Sequence, residues 1–486
     1  MTPLRSTLVA SIVLITAALT GKSIAEKPHP DKTASSPNMI LVFIDDMGWG
    51  DFSCFGNTET TTTNIDRLAN EGIRFNRFYV NSPICSPSRV AISTGQYPTR
   101  WDVTSYLATR QLNEARGMAQ WLDPEAPMLA RFLKNAGYAT GHFGKWHMGG
   151  QRNVGDAPYI SEYGFDESLT NFEGLGPRIL AWCYSPDNDP PPKKHFGDAE
   201  NLPGPTTWVD RSEVTQSFVD AAIPFIDKAA ENGTPFYINL WPDDVHTPCY
   251  PPLHRWGDGS DRTKYIGVLK TMDDQLGVLF DRIRDDEHLR DNTIILICSD
   301  NGPAQNFGSA GPHRGYKTHL YEGGVRSPLI VWAPGIIDST DAGTVNETSV
   351  FSAIDLVPSL LDIAGVPQPD AIEFDGEVLS HTIFGKGDAS RKAPLFFRRP
   401  PDRDAFYGVD DLPDLAVIDG NWKVLCEFDG ANPELYNLEK DPAETNNLAD
   451  KNPELVQRLT NDLLAWQKSM PQDNGATFKL DKKKRK

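Results

Sequence analysis

The sequence predicts an α/β fold: a large, mostly parallel sheet flanked by helices, followed by a smaller C-terminal domain with a short antiparallel sheet and a helix. Residues 39–44 form a continuous apolar run, which is typical of a strand buried on both faces of a parallel sheet. Similar runs alternate with segments of helical apolar spacing, the order expected of an α/β sheet. A change in pattern after about residue 385 predicts the second domain.

Five apolar runs are the predicted strands of the large sheet: 39–44, 138–143, 236–241, 293–298 and 329–332. A different segment, residues 183–210, carries six prolines among polar residues. This composition favours a long loop. We interpret the loop as a candidate wall of a substrate cleft.

The C-terminal part begins with a predicted hairpin, in which strands 415–418 and 422–425 flank the turn residues Asp419 and Gly420. A further short strand is expected at 435–438. Pro453 favours a helix start, and apolar residues with helical spacing follow it to Trp466. The chain is long enough for one large and one smaller domain, which we place at residues 38–385 and 386–475.

The N-terminus has the features of a secretory signal peptide. Arg5 precedes an apolar run at 8–19, and small residues at Ser23 and Ala25 suit a cleavage site. The run is too short to span a bilayer, so stable membrane insertion is not expected. We therefore assign 1–25 to a signal peptide and 26–37 to a linker, and we expect a secreted or periplasmic protein.

The chain is acidic, with a formal net charge of −19. Such a protein is a poor general binder of nucleic acid, so an anionic substrate requires a local cluster of cations. The basic residues 482–486 are interpreted as part of a solvated tail, 476–486. The six cysteines form neither a disulfide framework nor a CxxC metal motif, although export permits one or two bridges.

Four predicted strands end in polar groups. The groups are Asp45 and Asp46 after the first strand, Lys145 and His147 after the second, Asp243, Asp244 and His246 after the third, and Asp300 and Asn301 after the fourth. In open α/β sheets the ligand site lies beyond the carboxyl ends of the strands. These side chains are therefore expected at one edge of the sheet.

Asp45, Asp46, Asp300 and Asn301 supply only oxygen ligands. Three neighbouring carboxylates repel one another unless a cation lies between them. Oxygen ligation suits Ca²⁺, with Mg²⁺ as the alternative, rather than zinc. The competing explanation for any single Asp after a strand is a helix cap or a turn.

Cys85 is predicted to lie at a helix N-terminus, because Pro87 suits the first turn of a helix. A helix N-terminus favours anions, and Arg89 lies one turn further on. Two interpretations remain open from the residues alone: a reactive thiolate, or a buried structural cysteine.

The segment Cys85 to Arg89, completed by Thr94 and Gly95, resembles the signature of the sulfatase family, within the alkaline phosphatase-like superfamily. The resemblance extends over nearly the whole mature chain and is nearest to the arylsulfatase A and galactosamine-6-sulfatase branch. Further matching motifs are Asp45-Asp46 with Gly48 and Asp51, Gly144-Lys145-Trp146-His147, His246-Thr247-Pro248, Asp300-Asn301-Gly302, Lys317 with Glu322-Gly323-Gly324, Tyr436 to Asp441, and Asn447-Leu448.

The resemblance implies that a maturation enzyme oxidises Cys85 to formylglycine, whose hydrate attacks the sulfur of a sulfate monoester. It implies Ca²⁺ ligation by Asp45, Asp46, Asp300 and Asn301 together with residue 85. By the same resemblance Arg89 orients the hydrate and His147, beside Lys145, accepts its proton. Lys317 and His246 would hold the sulfate and protonate the leaving oxygen.

The resemblance therefore predicts a sulfatase, with 38–385 as its catalytic domain. The expected substrate is a sulfated small molecule or a sulfated saccharide. One alternative is a phosphonate or phosphate ester hydrolase of the same superfamily. A second is a non-catalytic carbohydrate-binding relative, which the presence of every catalytic residue type disfavours.

Overall fold

The computed structural model describes residues 36–187, 192–400 and 412–474. The predicted signal peptide, most of the predicted linker and the predicted basic tail lie outside the described residues. Within those three ranges, every helix is too short or too polar to cross a bilayer.

The strands are β1 (Asn38–Ile44), β2 (Ile73–Tyr79), β3 (Ala139–Gly144), β4 (Glu167–Leu169), β5 (Arg178–Cys183), β6 (Lys193–His195), β7 (Thr206–Asp210), β8 (Phe236–Trp241), β9 (Thr293–Ser299), β10 (Arg326–Trp332), β11 (Thr344–Asn346), β12 (Phe351–Ser352), β13 (Leu395–Arg398), β14 (Leu415–Asp419), β15 (Trp422–Cys426) and β16 (Glu434–Asn437).

The helices are α1 (Thr63–Glu71), α2 (Cys85–Thr94), α3 (Arg110–Arg116), α4 (Leu129–Asn135), α5 (Val214–Glu231), α6 (Asp261–Asp285), α7 (Glu287–Asp291), α8 (Glu322–Val325), α9 (Ala353–Ile363), α10 (Ser380–Ile383) and α11 (Pro453–Ser469).

The structure confirms the predicted α/β class. Its large sheet has the strand order β11-β2-β10-β9-β1-β8-β3-β4, and the short strand β12 also pairs with β2. Neighbours from β9 to β4 are parallel. Strand β10 is antiparallel to both β9 and β2, so the sheet is mostly rather than wholly parallel.

The central strand β1 explains why the sheet is covered on both faces. Met39, Leu41 and Phe43 pack in one apolar cluster with α2, α4 and α9, whereas the alternate residues pack in another with α1, α5 and α6. Side chains of a strand alternate between the two faces, so a wholly apolar strand needs cover on both. The continuous apolar run at 39–44 therefore correctly predicted a strand buried on both faces.

The C-terminal part contains the predicted small antiparallel sheet, with the order β13-β14-β15-β16. The predicted hairpin is formed by β14 and β15, which pair in register from Leu415 with Cys426 to Asp419 with Trp422. Helix α11 packs on this sheet through Leu459, Leu463 and other apolar residues. The division into domains at 385/386 stays a prediction.

A buried group of charges joins the C-terminal sheet to the region that follows β9. Lys423 of β15 contacts Glu322 Oε1 at 3.0 Å and Glu444 Oε1 at 2.9 Å, and all three side chains are buried. Arg326 also contacts Glu322, at 3.1 Å. Burial, with Glu322 nearby, raises the pKa of Glu444 to about 7 although Lys423 acts in the opposite direction.

One expectation from the sequence is wrong. Residues 183–210 are not one long loop, because β6 and β7 lie within this segment and pair with β5 in a three-stranded sheet of order β6-β5-β7. The prolines precede and separate these strands rather than interrupting them. The disulfide bridges that export would permit are not formed, since all six cysteines, which lie within the described residues, are free. Cys298 is a core residue of β9.

Candidate active site

The four strands that end in polar groups are neighbours in the sheet, in the order β9-β1-β8-β3. All three pairings are parallel, so their carboxyl ends meet at one edge. Main-chain hydrogen bonds continue past the strand ends: Asp300 N donates to Ile44 O at 3.0 Å, and Lys145 N donates to Trp241 O at 2.9 Å. The sheet thereby fixes the starting points of the loops that carry the site.

Asp45, Asp46 and Asp300 form a compact cluster of three carboxylates, with one oxygen of each lying within 4.8 Å of the others. All three are buried. Asp46 N donates to Asp300 Oδ1 at 3.1 Å, and Asn301 Nδ2 donates to Asp46 Oδ1 at 2.9 Å. Asp46 also has a φ of 58°, a left-handed conformation that strains a non-glycine residue.

The residues of this group fit a hard divalent cation. Asp45 Oδ1 and Asn301 Oδ1 are buried and accept no hydrogen bond, which is costly for oxygen atoms removed from water. Burial raises the pKa of Asp300 well above its usual range, and the charges of Asp45 and Asp46 add to that effect against Arg89. Ligation by Asp45, Asp46, Asp300 and Asn301 would satisfy the orphaned oxygens and reduce the repulsion.

Arg89 links helix α2 to the cluster of three carboxylates. Its Nη2 contacts Asp300 Oδ2 at 2.8 Å and Asp45 Oδ1 at 3.3 Å, while Nη1 donates to Lys145 O at 2.9 Å. The guanidinium is fully buried and packs 5.2 Å from the ring centroid of Trp241. Its rigid fork thus holds three strand ends in one arrangement.

Cys85 is the first residue of α2 and is only 2% exposed. Burial raises the pKa of its thiol to about 12, and Asp45 and Asp300 oppose the lowering effect of Lys145 and Lys317. The unmodified side chain is therefore a thiol at neutral pH. Of the two interpretations left open by the sequence, a reactive thiolate is the one that this environment disfavours.

Two lysines face the carboxylates. Lys145 Nζ lies 2.6 Å from Asp45 Oδ2, and Lys317 Nζ lies 2.6 Å from Asp46 Oδ1. Burial alone would lower the pKa of each ammonium, but the carboxylates beside them raise it. Both lysines are therefore cationic at neutral pH.

Glu173 is a site residue that the sequence did not reveal. Its Oε2 lies 3.0 Å from Lys145 Nζ and 3.1 Å from His147 Nδ1. Burial would raise its pKa, but His147, Lys145, Arg152 and His246 lower it to about 2, so it is a carboxylate. A single Glu in a loop has no sequence pattern that marks it as a site residue. Only its contacts in the folded protein show that Glu173 belongs to the site.

His147 lies between two oxygen acceptors. Its Nε2 is 2.9 Å from Leu107 O, and its Nδ1 faces Glu173. Burial, together with Lys145 and Arg89, lowers the pKa of His147 to about 3 although Glu173 raises it. The neutral ring donates from Nε2 to Leu107 and keeps a lone pair on Nδ1, where a proton would be shared with Glu173.

His246 lies beside Asp46 and is partly exposed, with 24% of its side chain accessible to solvent. Its Nδ1 donates to Thr247 O at 2.8 Å, and Nε2 lies 3.6 Å from Asp46 Oδ2. Burial lowers its pKa, while Asp46 and Asp45 favour the protonated ring. The six predicted catalytic residues, which include the predicted metal ligand Cys85, and the four other predicted metal ligands lie at or beside one edge of the sheet.

Asp243 and Asp244, which also follow β8, have structural partners. Asp243 Oδ1 contacts Arg211 Nη1 at 3.1 Å, and Asp243 Oδ2 accepts from Asn171 Nδ2 at 2.8 Å. Asp244 accepts a hydrogen bond from Thr215. The contact with Asn171 attaches the loop that carries Glu173 to the end of β8.

Two family models match the chain. The model described as Sulfatase matches residues 37–366, and the model of the N-sulphoglucosamine sulphohydrolase C-terminal region matches residues 311–469. Together they span nearly all of the described structure, including its three sheets.

Several proteins are similar to this chain over most of its length. N-acetylgalactosamine-6-sulfatase of Homo sapiens is 31% identical over 389 residues, which cover 75% of this chain and 68% of that protein. Arylsulfatase A of Homo sapiens is 30% identical, with 88% and 87% covered. The solved structure of Ps i-CgsB in complex with k-i-k-neocarrahexaose has the same fold, with a TM-score of 0.74, 24% identity, and 92% of this chain and 96% of that chain covered.

Proposed function

The chain belongs to the sulfatase family and is a sulfuric ester hydrolase, and on this basis we propose that it cleaves sulfate monoesters of a saccharide at a formylglycine hydrate derived from Cys85 beside a bound calcium ion. The observation that carries the proposal is the position of Cys85. It begins α2 and interacts electrostatically with Asp45, Asp300, Lys145 and Lys317, but its own thiol is not ionised. This environment favours chemistry through a modified residue 85 rather than through a thiolate.

Asp45, Asp46, Asp300 and Asn301 are the proposed calcium ligands, together with residue 85; Mg²⁺ is the alternative ion. The ion would supply positive charge for the sulfate oxygens, and the modified residue would supply a hydroxyl nucleophile that can be regenerated. Arg89 would hold Asp300 and Asp45 and orient the hydrate. Its contacts with both carboxylates support this role.

Lys145, Lys317 and His246 are proposed to bind the sulfate group. The lysines remain cationic, and such fixed charges stabilise negative charge that develops on sulfate oxygens. Lys317 and His246 would also protonate the leaving oxygen. His246 is suited to this because its ring is partly exposed and Asp46, 3.6 Å from Nε2, opposes the lowering of its pKa by burial.

His147 is proposed to accept a proton from the hydrate. The neutral ring supports this role, and Nδ1 is the nitrogen that would take the proton because Nε2 donates to Leu107 O. Glu173 would stabilise the protonated ring through Nδ1, at 3.1 Å. A carboxylate that supports an imidazolium in this way makes proton acceptance easier.

The proposed substrate is a sulfated saccharide. N-acetylgalactosamine-6-sulfatases are among the relatives, which supports a sulfated amino sugar. We further propose a catalytic domain at 38–385 and secretion directed by residues 1–25, with a formylglycine-generating enzyme as the maturation partner.

The test compares matched esters with protein from a host that has a formylglycine-generating system. We expect 4-nitrophenyl sulfate or N-acetylgalactosamine 6-sulfate to be hydrolysed with a higher kcat/KM than 4-nitrophenyl phosphate. Cys85→Ser should abolish sulfate release, whereas Cys54→Ser, at a partly buried cysteine outside the site, should retain it. Faster phosphate release would favour the phosphate ester hydrolase, and undiminished sulfate release by Cys85→Ser would contradict the proposal.

A further inference from the structure

A cluster of four side chains borders the sulfate-binding residues and is not used by the proposed mechanism. We name Arg152, Phe172, His195 and Phe196 the side shelf. Phe172 and Phe196 stack with ring centroids 3.9 Å apart, and His195 lies edge-on to both, at 5.6 and 4.3 Å. The side shelf thus combines a rigid aromatic base with two polar side chains.

Arg152 has an unusual environment for an arginine. Its guanidinium lies 4.4 Å from the ring centroid of Phe196 and 5.9 Å from that of Phe172. Among the residues that the structure describes, it makes no hydrogen bond and no ion pair. An arginine carries five N–H donors, so this side chain retains its capacity to bind an anion. Its φ of 53° shows that the backbone is held in a left-handed conformation at this position.

His195 is the second polar member. It is half-buried at the end of β6, and its ring nitrogens have no hydrogen-bond partner in the described ranges. Burial, aided by the charge of Arg211, lowers its pKa to about 3. The ring is therefore neutral and offers one donor and one acceptor.

Members of the side shelf are close to proposed site residues along the chain and interact with them electrostatically. Phe172 directly precedes Glu173, and Arg152 is five residues beyond His147. The charge of Arg152 acts on Glu173, and His195 interacts electrostatically with His246 and Glu173. These interactions connect the side shelf to the residues that would hold the reacting sulfate.

We propose that the side shelf is a second anion-binding position, at which Arg152 and His195 bind a carboxylate or a second sulfate carried by the saccharide. The inference rests on the proposed function and specifies its substrate class: a saccharide with two anionic groups close together. Arg152 supplies charge and paired donors, and His195 supplies one hydrogen bond. The need for a dedicated cation is greater because the chain as a whole is strongly acidic.

Binding to a protein that cannot turn over tests this directly. The Cys85→Ser protein, with calcium present, is titrated calorimetrically with three probes. N-acetylgalactosamine 6-sulfate carries one anion, N-acetylgalactosamine 4,6-disulfate carries two sulfates, and a hexuronate-linked N-acetylgalactosamine 6-sulfate disaccharide adds a carboxylate. We expect at least one doubly anionic probe to bind about tenfold more tightly than the singly anionic probe, the effect of one charge-assisted contact.

Arg152→Gln in the same background should remove this preference, and Arg152→Lys should retain part of it. Arg290→Gln is the matched control, because Arg290 pairs with Asp291 before β9, at the opposite edge of the sheet. The preferred probe distinguishes a carboxylate from a sulfate. Equal binding of all probes, or a full preference in Arg152→Gln, would overturn the side-shelf inference alone. Failure of every probe to bind would also overturn the proposed saccharide substrate.

Discussion

Calcium should stabilise the folded protein, and this stabilisation should depend on the charge of Asp300. Three buried carboxylates lie within 4.8 Å, with two oxygen atoms of the group lacking hydrogen bonds. A bound ion adds about 2.7 kcal/mol to the free energy of unfolding when free calcium is about 100 times Kd. For a chain of 486 residues the entropy of unfolding is about 1 kcal/mol/K. Chelation should therefore lower Tm by about 3 °C.

Asp300→Asn keeps the size of the side chain and removes its charge. If calcium affinity falls tenfold, the stabilisation at the same calcium concentration falls to about 1.4 kcal/mol, and the Tm shift is about halved. Differential scanning calorimetry with and without chelator measures both shifts. Asp291→Asn, at an exposed carboxylate on α7, should keep the full shift. An equal calcium effect in Asp300→Asn, or no effect in the unaltered protein, would refute this account of the metal ligands.

Three further results follow from the buried charges. Glu173→Gln should lower kcat for the sulfate ester by about 10–100-fold with little change in KM, because His147 loses the carboxylate that supports its protonated form. Glu173→Asp should recover part of kcat. An unchanged kcat in Glu173→Gln would contradict this role of Glu173. Lys423→Met should lower the free energy of unfolding in urea by about 3–5 kcal/mol, since it leaves Glu322 and Glu444 buried without their partner, and a loss below about 1 kcal/mol would contradict this. The pKa of Glu444 in the folded protein, about 7, lies above its ordinary value of 4.5, so the contribution of Glu444 to stability is lost as pH rises from 4.5 through 7. The unfolding free energy of Glu444→Gln should therefore vary less between pH 5 and 7.5 than that of the unaltered protein. Equal pH dependence of the two proteins would exclude the effect.

Features encoded in short segments were predictable from the sequence. The run at 39–44 identified β1 because a strand covered on both faces needs apolar residues at every position. The polar groups after β1, β3, β8 and β9 could be placed at one edge because parallel strands share a direction. The helix start at Cys85 followed from Pro87, which suits a first turn.

Features that depend on long-range partners were not predictable. Glu173 gains its place through contacts with Lys145 and His147, and its own segment has no distinctive pattern. The pairing of β6 and β7 with β5 was missed because prolines and polar residues dominate that segment. Proline excludes a strand only where its missing N–H is needed, and here the prolines lie outside the paired residues.

The central claim is that the active protein carries an aldehyde at residue 85. Mass spectrometry of the peptide that contains residue 85 tests it, on a preparation whose sulfate release from N-acetylgalactosamine 6-sulfate or 4-nitrophenyl sulfate is measured in parallel. We predict the formylglycine mass, in a fraction of molecules that rises with specific activity from one preparation to the next. A preparation with full sulfatase activity and an intact Cys85 thiol in every molecule would contradict the account.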